Sequence, residues 1–341
     1  MVERSDRPRI VLAGSVGSTR RTLAALIRHR LNVVGVLGLR VEKSANVSGY
    51  ARLDDLANAA SIPYAEFDNI NTPETIAMVQ EWSPDVLFVV GLSQLVGPEL
   101  LALPHLGCVG FHPTHLPEGR GRAPVAWLTM ENRPGAATFF VMDEGADSGP
   151  ILAQEPFEVT GQDYASDVIR KLEDAIDVAL DRWLPHLNAG EWEPLPQDDR
   201  KATYYGRRSP SDGLIDWNRP AREILALVRA TSHPHPGAYT YAGGEKMIIW
   251  KASLEKTIPY RGVPGRILVV DEHKGFLVQT GDGLLWLEQV EAVTVGESRP
   301  ELRLGMKLGY VVEDEINKLA KRIQILEERL SRLENEGREK T

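Results

Sequence analysis

The sequence predicts an α/β protein. A mostly parallel sheet covered by helices occupies residues 1–200, a smaller β-barrel follows over 205–311, and an amphipathic helix ends the chain over 312–341. Three observations predict this. Short apolar runs alternate with helical stripes through the first half; turn-bounded strands crowd the stretch after Ala238; the last segment repeats Ile or Leu at spacings of three and four. Apolar strands separated by helices indicate a parallel sheet with both faces buried.

In chain order, Arg9–Gly14 reads as a buried strand entering the loop Ser15-Val16-Gly17-Ser18-Thr19. A helix over Thr22–Ile27 and a strand over Asn32–Leu37 come next. Leu53–Ala60 is helical, and Asp85–Val90 is a third apolar strand bounded by Pro84 and Gly91. Gly107–Phe111 then delivers His112 to the carboxyl edge of the sheet, where such folds bind ligands. A helix from about Ala165 to Leu184 carries Val168, Ile169, Leu172, Ile176, Ala179 and Leu180 on one stripe. Asn188–Asp199, with prolines at 194 and 196, reads as a surface linker.

The second region opens with Leu214–Trp217 and a short helix led by Pro220. Strands are expected at Tyr239–Tyr241, Met247–Trp250, Arg266–Val270, Gly275–Gln279 and Leu284–Leu287, with turns at Gly243-Gly244 and Asp282-Gly283. Strands at this spacing suggest a small barrel. Ile316, Leu319, Ile323, Leu326, Leu330 and Leu333 then form a coiled-coil seam flanked by Glu, Lys and Arg. The seam is open to three arrangements: a homodimer through the 316–333 helix, packing on its own barrel, or a solvated tail.

The bulk numbers exclude several classes. The 341 residues suffice for two domains, and 43% apolar with 26% charged content is ordinary for a soluble globular protein. The single cysteine, Cys108, removes any disulfide framework and suits a cytoplasmic location. The N-terminus has no apolar signal core, and no apolar run approaches the roughly 20 residues that span a bilayer. A net charge of −9 gives no support for a surface built to grip a polyanion.

The chemistry concentrates in two stretches. Val109-Gly110-Phe111-His112-Pro113-Thr114-His115-Leu116-Pro117-Glu118-Gly119-Arg120-Gly121-Arg122-Ala123-Pro124 puts an imidazole at the end of an apolar run, and Met142-Asp143-Glu144-Gly145-Ala146-Asp147-Ser148-Gly149 is an acidic, glycine-containing loop. His112 titrates near neutrality and can move protons during attack on a carbonyl. A carboxylate such as Asp147, 35 positions on, would orient the ring and stabilise its cation. That pair suits acyl transfer to an amine. Taken singly, His112 reads more readily as a satisfied structural histidine and Asp147 as a turn residue.

These stretches resemble the folate-dependent formyltransferases, whose pattern is Asn-x-His-x-Ser-Leu-Leu-Pro followed by Asp-x-Gly-x-Asp-x-Gly. Ser209–Trp217 and His235–Tyr241 extend the resemblance to methionyl-tRNA formyltransferase and the UDP-4-amino-4-deoxy-arabinose formyltransferases, so that it covers roughly residues 8 to 310. It implies a Rossmann-like catalytic domain with a barrel of the oligonucleotide-binding type, and transfer of a formyl group from 10-formyltetrahydrofolate to a primary amine without a metal. His112 and Asp147 match the catalytic histidine and aspartate. Gln94, Leu95, Val96 and the loop Asp143-Glu144-Gly145-Ala146 match the pterin contacts, and Arg122 an arginine near the folate or the acceptor.

One position departs. The family's asparagine, assigned to polarising the formyl carbonyl, is Gly110 here. Loss of such a donor costs about 10² to 10³ in rate. Three outcomes are open: a protonated His112 or a backbone N–H replaces it, an amide from elsewhere does, or the site has altered or lost chemistry. His115, in place of a leucine, could supply the donor, or face solvent or the acceptor. His112-x-x-His115 is not a metal motif, since Pro113 prevents a helix and the zinc-protease Glu is absent. The Gly14–Thr19 loop lacks the dinucleotide fingerprint; its Ser and Thr suit helix capping, or the helix N-terminus could meet an acceptor phosphate. With mixed charges over Gly38–Asp55 and an acidic total, a nucleotide-linked amino sugar is favoured as acceptor over initiator tRNA.

Overall fold

Strand Ile10–Gly14 lies in the interior of the main sheet because its residues are apolar on both faces, and five of the six positions of β1 (Arg9–Gly14) are buried. The computed structural model of the chain describes residues 7–45, 47–257, 259–293, 302–310 and 312–338. The charged N-terminal segment through Asp6, Asn46, and the end of the C-terminal span from Glu339 lie outside the described residues. Two compact units result, one running through Gly213 and including Ala226–Gly237, the other comprising Leu214–Leu225 and the chain from Ala238.

In the first unit β1 is followed by α1 (Gly17–Arg28), β2 (Asn32–Leu39), α2 (Asp54–Ala59), β3 (Tyr64–Phe67), α3 (Pro73–Trp82), β4 (Val86–Val90) and α4 (Pro98–Leu101). Next come β5 (Gly107–His112), β6 (Arg120–Gly121), α5 (Pro124–Glu131), β7 (Gly135–Val141), β8 (Ile151–Phe157), α6 (Ala165–Asn188) and β9 (Tyr204–Tyr205). Seven strands form one sheet in the order β3-β2-β1-β4-β5-β7-β8. The pairs from β3 to β5 are parallel, whereas β7 and β8 are antiparallel. This is the mostly parallel, Rossmann-like sheet the sequence predicts.

Helix α6 closes one face. Its stripe buries Val168, Leu172, Ile176, Ala179 and Leu180, and continues through Trp183, Leu184 and Leu187 against Phe88, Val109 and Phe139. The opposite face packs Val11, Leu37, Leu87 and Cys108 against Phe67, Ile76 and Val79.

Several expectations need correction. Helix α1 begins at Gly17, so Gly17–Thr19 are its first turn and not loop. The Thr19 hydroxyl accepts the N–H groups of Ser15 and Val16 and donates to the Val90 carbonyl, which fixes the chain where it leaves β1. Asn188–Asp199 is not a loose linker. Its Leu195 exchanges two backbone hydrogen bonds with Ile151, and Trp192 packs against the core. The two prolines stiffen a strap that lies across the sheet edge.

In the second unit, helix α7 (Ala221–Thr231) begins in this unit and passes into the first at Ala226. Five strands, β10 (Ala238–Ala242), β11 (Glu245–Glu255), β12 (Ile267–Asp271), β13 (Gly275–Gln279) and β14 (Leu284–Val293), form an antiparallel sheet in the order β10-β11-β14-β13-β12. Gly243 and Gly244, at φ +60° and +95°, make the two-residue hairpin between β10 and β11. No β10–β12 pairing closes the ring among the described residues. The gap is bridged instead by residues 305–309, where Ile267 donates to Met306, Leu308 to Gly265 and Gly309 to Tyr241. Trp217 is buried and its indole N–H donates to Thr240 Oγ1 at 2.9 Å.

The chain ends in α8 (Val312–Arg338). Ile316, Leu319, Ile323, Leu326, Leu330 and Leu333 are each 55–65% exposed, which removes the expectation that the stripe packs on its own barrel. None of the described helices is long and apolar enough to cross a membrane.

Candidate active site

The loops that leave β1, β4 and β5 at their carboxyl ends surround a cavity of about 550 Å³. This is the crevice beside a change in strand order where doubly wound sheets bind ligands. His112 is the last residue of β5 and is only 4% exposed. Its Nε2 lies 2.8 Å from the Gly119 carbonyl oxygen, which can only accept, so Nε2 carries the hydrogen. The other nitrogen, Nδ1, faces Asp147 Oδ2 at 3.5 Å. The neutral ring therefore presents a bare Nδ1 lone pair beside a carboxylate.

Burial pushes the His112 pKa down, outweighing the opposing pull of Asp147 and of the Gly119 hydrogen bond. The resting ring is neutral and able to take a proton. Once it does, Nδ1–H points at Asp147, which stabilises the cation. The two residues thus make a base with a built-in counter-ion.

Asp147 is held by its surroundings. Its backbone is left-handed, φ +55°, and Oδ2 accepts the Gly121 N–H at 2.9 Å. The Gln197 amide donates to the carbonyls of Asp147 and Gly149 at 2.9 and 2.7 Å. Gln197 Oε1 accepts from the buried Arg120 guanidinium, which also pairs with Asp199 at 2.7 Å. Arg120 is in turn carried by the short parallel pair β6–β9. Sequence reading includes Gly119, Arg120 and Gly121 in the motif without giving them a role, and it misses Gln197. The Gly119-Arg120-Gly121 triplet was a legible signal, since glycines at φ +73° and +109° mark a chain forced close to its neighbours.

Of the expected site residues, His112, Asp147, Gly110, Gln94, Leu95, Val96, Arg122, Asp143, Gly145 and Ala146 all line the cavity, whereas Glu144 is not among the lining residues. Gln94 is occupied, accepting from Ile70 N–H and donating to Asp68, so its side chain braces the loop that it leads. Leu95 is 85% exposed at the rim. Asp143 accepts from Gly145 N–H and Ser148 Oγ, which gives it a loop-shaping job. The Arg122 guanidinium makes no hydrogen bond or ion pair among the described residues, and the residue lines the cavity. His115 is exposed and does not line the cavity, which removes it as a substitute donor.

Gly110 is the centre of the β5 ladder, opposite Val89 on one side and Phe140 on the other. A Cβ there would lie 2.7 Å from Phe140 Cζ and 2.9 Å from Met142 Cγ. The space is filled by apolar side chains and does not await an amide. At the neighbouring helix, Glu173 Oε1 lies 2.6 Å from where a Gly17 Cβ would stand. A carboxylate at the α1 N-terminus opposes the phosphate contact considered from sequence. Among the described residues no group of three His, Cys, Asp or Glu side chains is placed to hold a metal.

The profile of the formyl transferase family matches residues 10–183, and that of the formyl transferase C-terminal domain matches 207–294. The chain belongs to the folate-dependent formyltransferase family. Among solved structures, HypX from Aquifex aeolicus in complex with tetrahydrofolic acid is similar to this formyltransferase at a TM-score of 0.61 and 17% identity, over 85% of this chain and 45% of that one. The chain spans about half the length of the HypX structures it matches. An N-formyltransferase from Helicobacter canadensis, in complex with folinic acid and dTDP-3-aminofucose, matches at 0.59 and 15% over 82% and 98% of the two chains. Methionyl-tRNA formyltransferase from Clostridium thermocellum matches at 0.50 and 18% over 73% and 94%. At these identities the likeness establishes a common fold.

Proposed function

We propose that this formyltransferase moves the formyl group of 10-formyltetrahydrofolate to the primary amine of a small acceptor, a nucleotide-linked amino sugar, in the cytoplasm. The observation that carries the reading is the neutral His112, tied through Nε2 to Gly119 and open at Nδ1 beside Asp147, on the wall of the cavity. In the reaction the amine attacks the formyl carbon and its proton passes to Nδ1, with Asp147 balancing the charge. Collapse of the tetrahedral species breaks the bond to the folate nitrogen N10, which takes that proton as it leaves. Gln94, Leu95 and Val96 with the loop from Asp143 to Ala146 form the donor wall, and Arg122 supplies a cation for a folate carboxylate or an acceptor phosphate.

Two observations support a small acceptor over tRNA. A cavity of about 550 Å³ falls in the range of small-ligand clefts. The net charge of −9 is poorly suited to a polyanion. The co-bound dTDP-3-aminofucose of the Helicobacter canadensis enzyme offers the chemical precedent.

A second reading is favoured by Gly110. Phe140 and Met142 fill the place of the missing amide. His112 Nε2–H is engaged by Gly119, and the ring is held neutral, so a protonated His112 is a poor replacement. The oxyanion is left to a backbone donor, or the chain binds folate with altered or no transfer. Mass spectrometry of nucleotide-linked amino sugars incubated with enzyme and 10-formyltetrahydrofolate separates the readings. A product 28 mass units heavier, the formyl for hydrogen exchange, supports transfer. Folate binding with no product from sugars or initiator Met-tRNA favours the second reading.

A further inference from the structure

We propose that α8 joins the same helix of a second copy of this chain as a parallel, in-register two-stranded coiled coil. The helix spans 27 residues, a length of about 40 Å. Ile316, Leu319, Ile323, Leu326, Leu330 and Leu333 lie exposed in an unbroken three-four pattern, and Ile325, exposed as well, falls beside it. A helix of this kind draws most of its stability from covering its apolar face, and the chain itself leaves that face open.

The seam selects the partner. Ile316, Ile323 and Leu330 occupy the a positions, and Leu319, Leu326 and Leu333 the d positions. β-Branched residues at a with leucine at d favour two parallel strands. The flanking charges select the orientation. Glu315, Arg322 and Arg329 stand at g, and Ala320 and Glu327 at e. In a parallel pair each g faces the partner's following e, which sets Arg322 against Glu327 of the partner subunit, and the reverse by symmetry. In an antiparallel pair g faces g, which sets Arg322 toward Arg329 of the partner subunit and repels. Arg322, Glu327 and Arg329 make no ion pair within the chain among the described residues, unlike Lys318, which holds Glu315 at 2.7 Å. Their charges remain available for a second copy.

Sedimentation equilibrium of the full chain tests this. The expected mass is twice the chain's 37.8 kDa, falling toward the single value on dilution. Arg322→Glu and Glu327→Arg should each weaken the dimer by about tenfold, and combining them should restore it. Because all these side chains are exposed, the fold is unaffected, which circular dichroism verifies. A tighter dimer in Arg322→Glu would overturn the parallel orientation. A single-chain mass at every concentration would overturn the pairing, as would an undiminished dimer in the double variant Ile323→Asp, Leu326→Asp.

Discussion

Replacing Gly110 with alanine is expected to destabilise the first unit by about 1 to 3 kcal/mol, the usual cost of forcing one more carbon into a packed interior. The magnitude follows from the contacts. The new Cβ would meet Phe140 Cζ at 2.7 Å, Met142 Cγ at 2.9 Å and Phe140 Cε1 at 3.1 Å. Carbon atoms prefer about 3.5 to 4.0 Å, so each neighbour must retreat by roughly 0.5 to 1 Å. Phe140 cannot slide to oblige, because it pairs directly with Gly110 in the β5–β7 ladder. In a domain of this size each kcal/mol lowers the melting midpoint by about 2 to 4 °C. Thermal and urea unfolding of Gly110→Ala, Phe140→Leu and the double variant form a cycle. The expected coupling is about 1 kcal/mol or more in favour of the double variant, since the smaller side chain makes room. Strict additivity, or an unchanged midpoint in Gly110→Ala, would refute the steric reasoning. In the relieved background, Gly110→Asn then asks whether an amide at this position accelerates transfer, by up to about 10².

Three more outcomes follow from the same site. Asp147→Asn keeps an oxygen for the Gly121 N–H but loses the counter-ion of His112, so transfer should fall by about 10² to 10⁴ with little change in melting; near-normal turnover would remove the assignment. Burial depresses the pKa of both His112 and His235, so the folded state favours their neutral forms. Stability should be complete above the unfolded value of about 6.5 and decline as pH drops from there toward the folded values, and His112→Gln with His235→Gln should flatten that decline in melting scans. Gln197→Leu strips the carbonyls of Asp147 and Gly149 of their donor, which should cost about 1 to 3 kcal/mol and lower kcat more than it raises KM; an unaltered kcat would show that the strap does not position Asp147.

What could be read from the sequence was what periodicity carries. β4 is apolar throughout, and β1 and β2 are apolar after their first residue, because both faces of the sheet are covered, and the α6 stripe is regular over five turns. Three strands of the main sheet escaped reading: β7, although Gly135–Val141 is a buried apolar run, and β3 and β8, which lack such a pattern. β3 has four residues, one of them Glu66, and β8 places Gln154, Glu155 and Pro156 at the sheet edge, where a proline costs no ladder bond. α3 was legible, since Thr72-Pro73-Glu74 is a helix start with Thr72 as cap, and it was passed over. In the site, His112 and Asp147 stood out as chemistry-bearing types on loops. Gly119 was marked only by its glycine triplet, since a carbonyl acceptor has no side chain to notice, and Gln197 was not marked at all, because a glutamine in a proline-rich stretch looks like solvent-facing chain. The filling of the Gly110 space by Phe140 and Met142 depends on cross-strand register, which no single segment reveals.

The strap that anchors Asp147 also orders events during synthesis. Its glutamine lies 50 residues after the carboxylate whose backbone it grips, and β9, which steadies Arg120, lies later still. As the chain leaves the ribosome, β5 with His112 and the β7–β8 loop with Asp147 emerge well before that grip exists. A nascent protein that has already gathered its apolar core therefore still lacks the clamp on Asp147. The clamp is complete only once Gln197 and β9 have followed α6, so a chain halted at the end of α6 would have its sheet strands and lack the grip on Asp147.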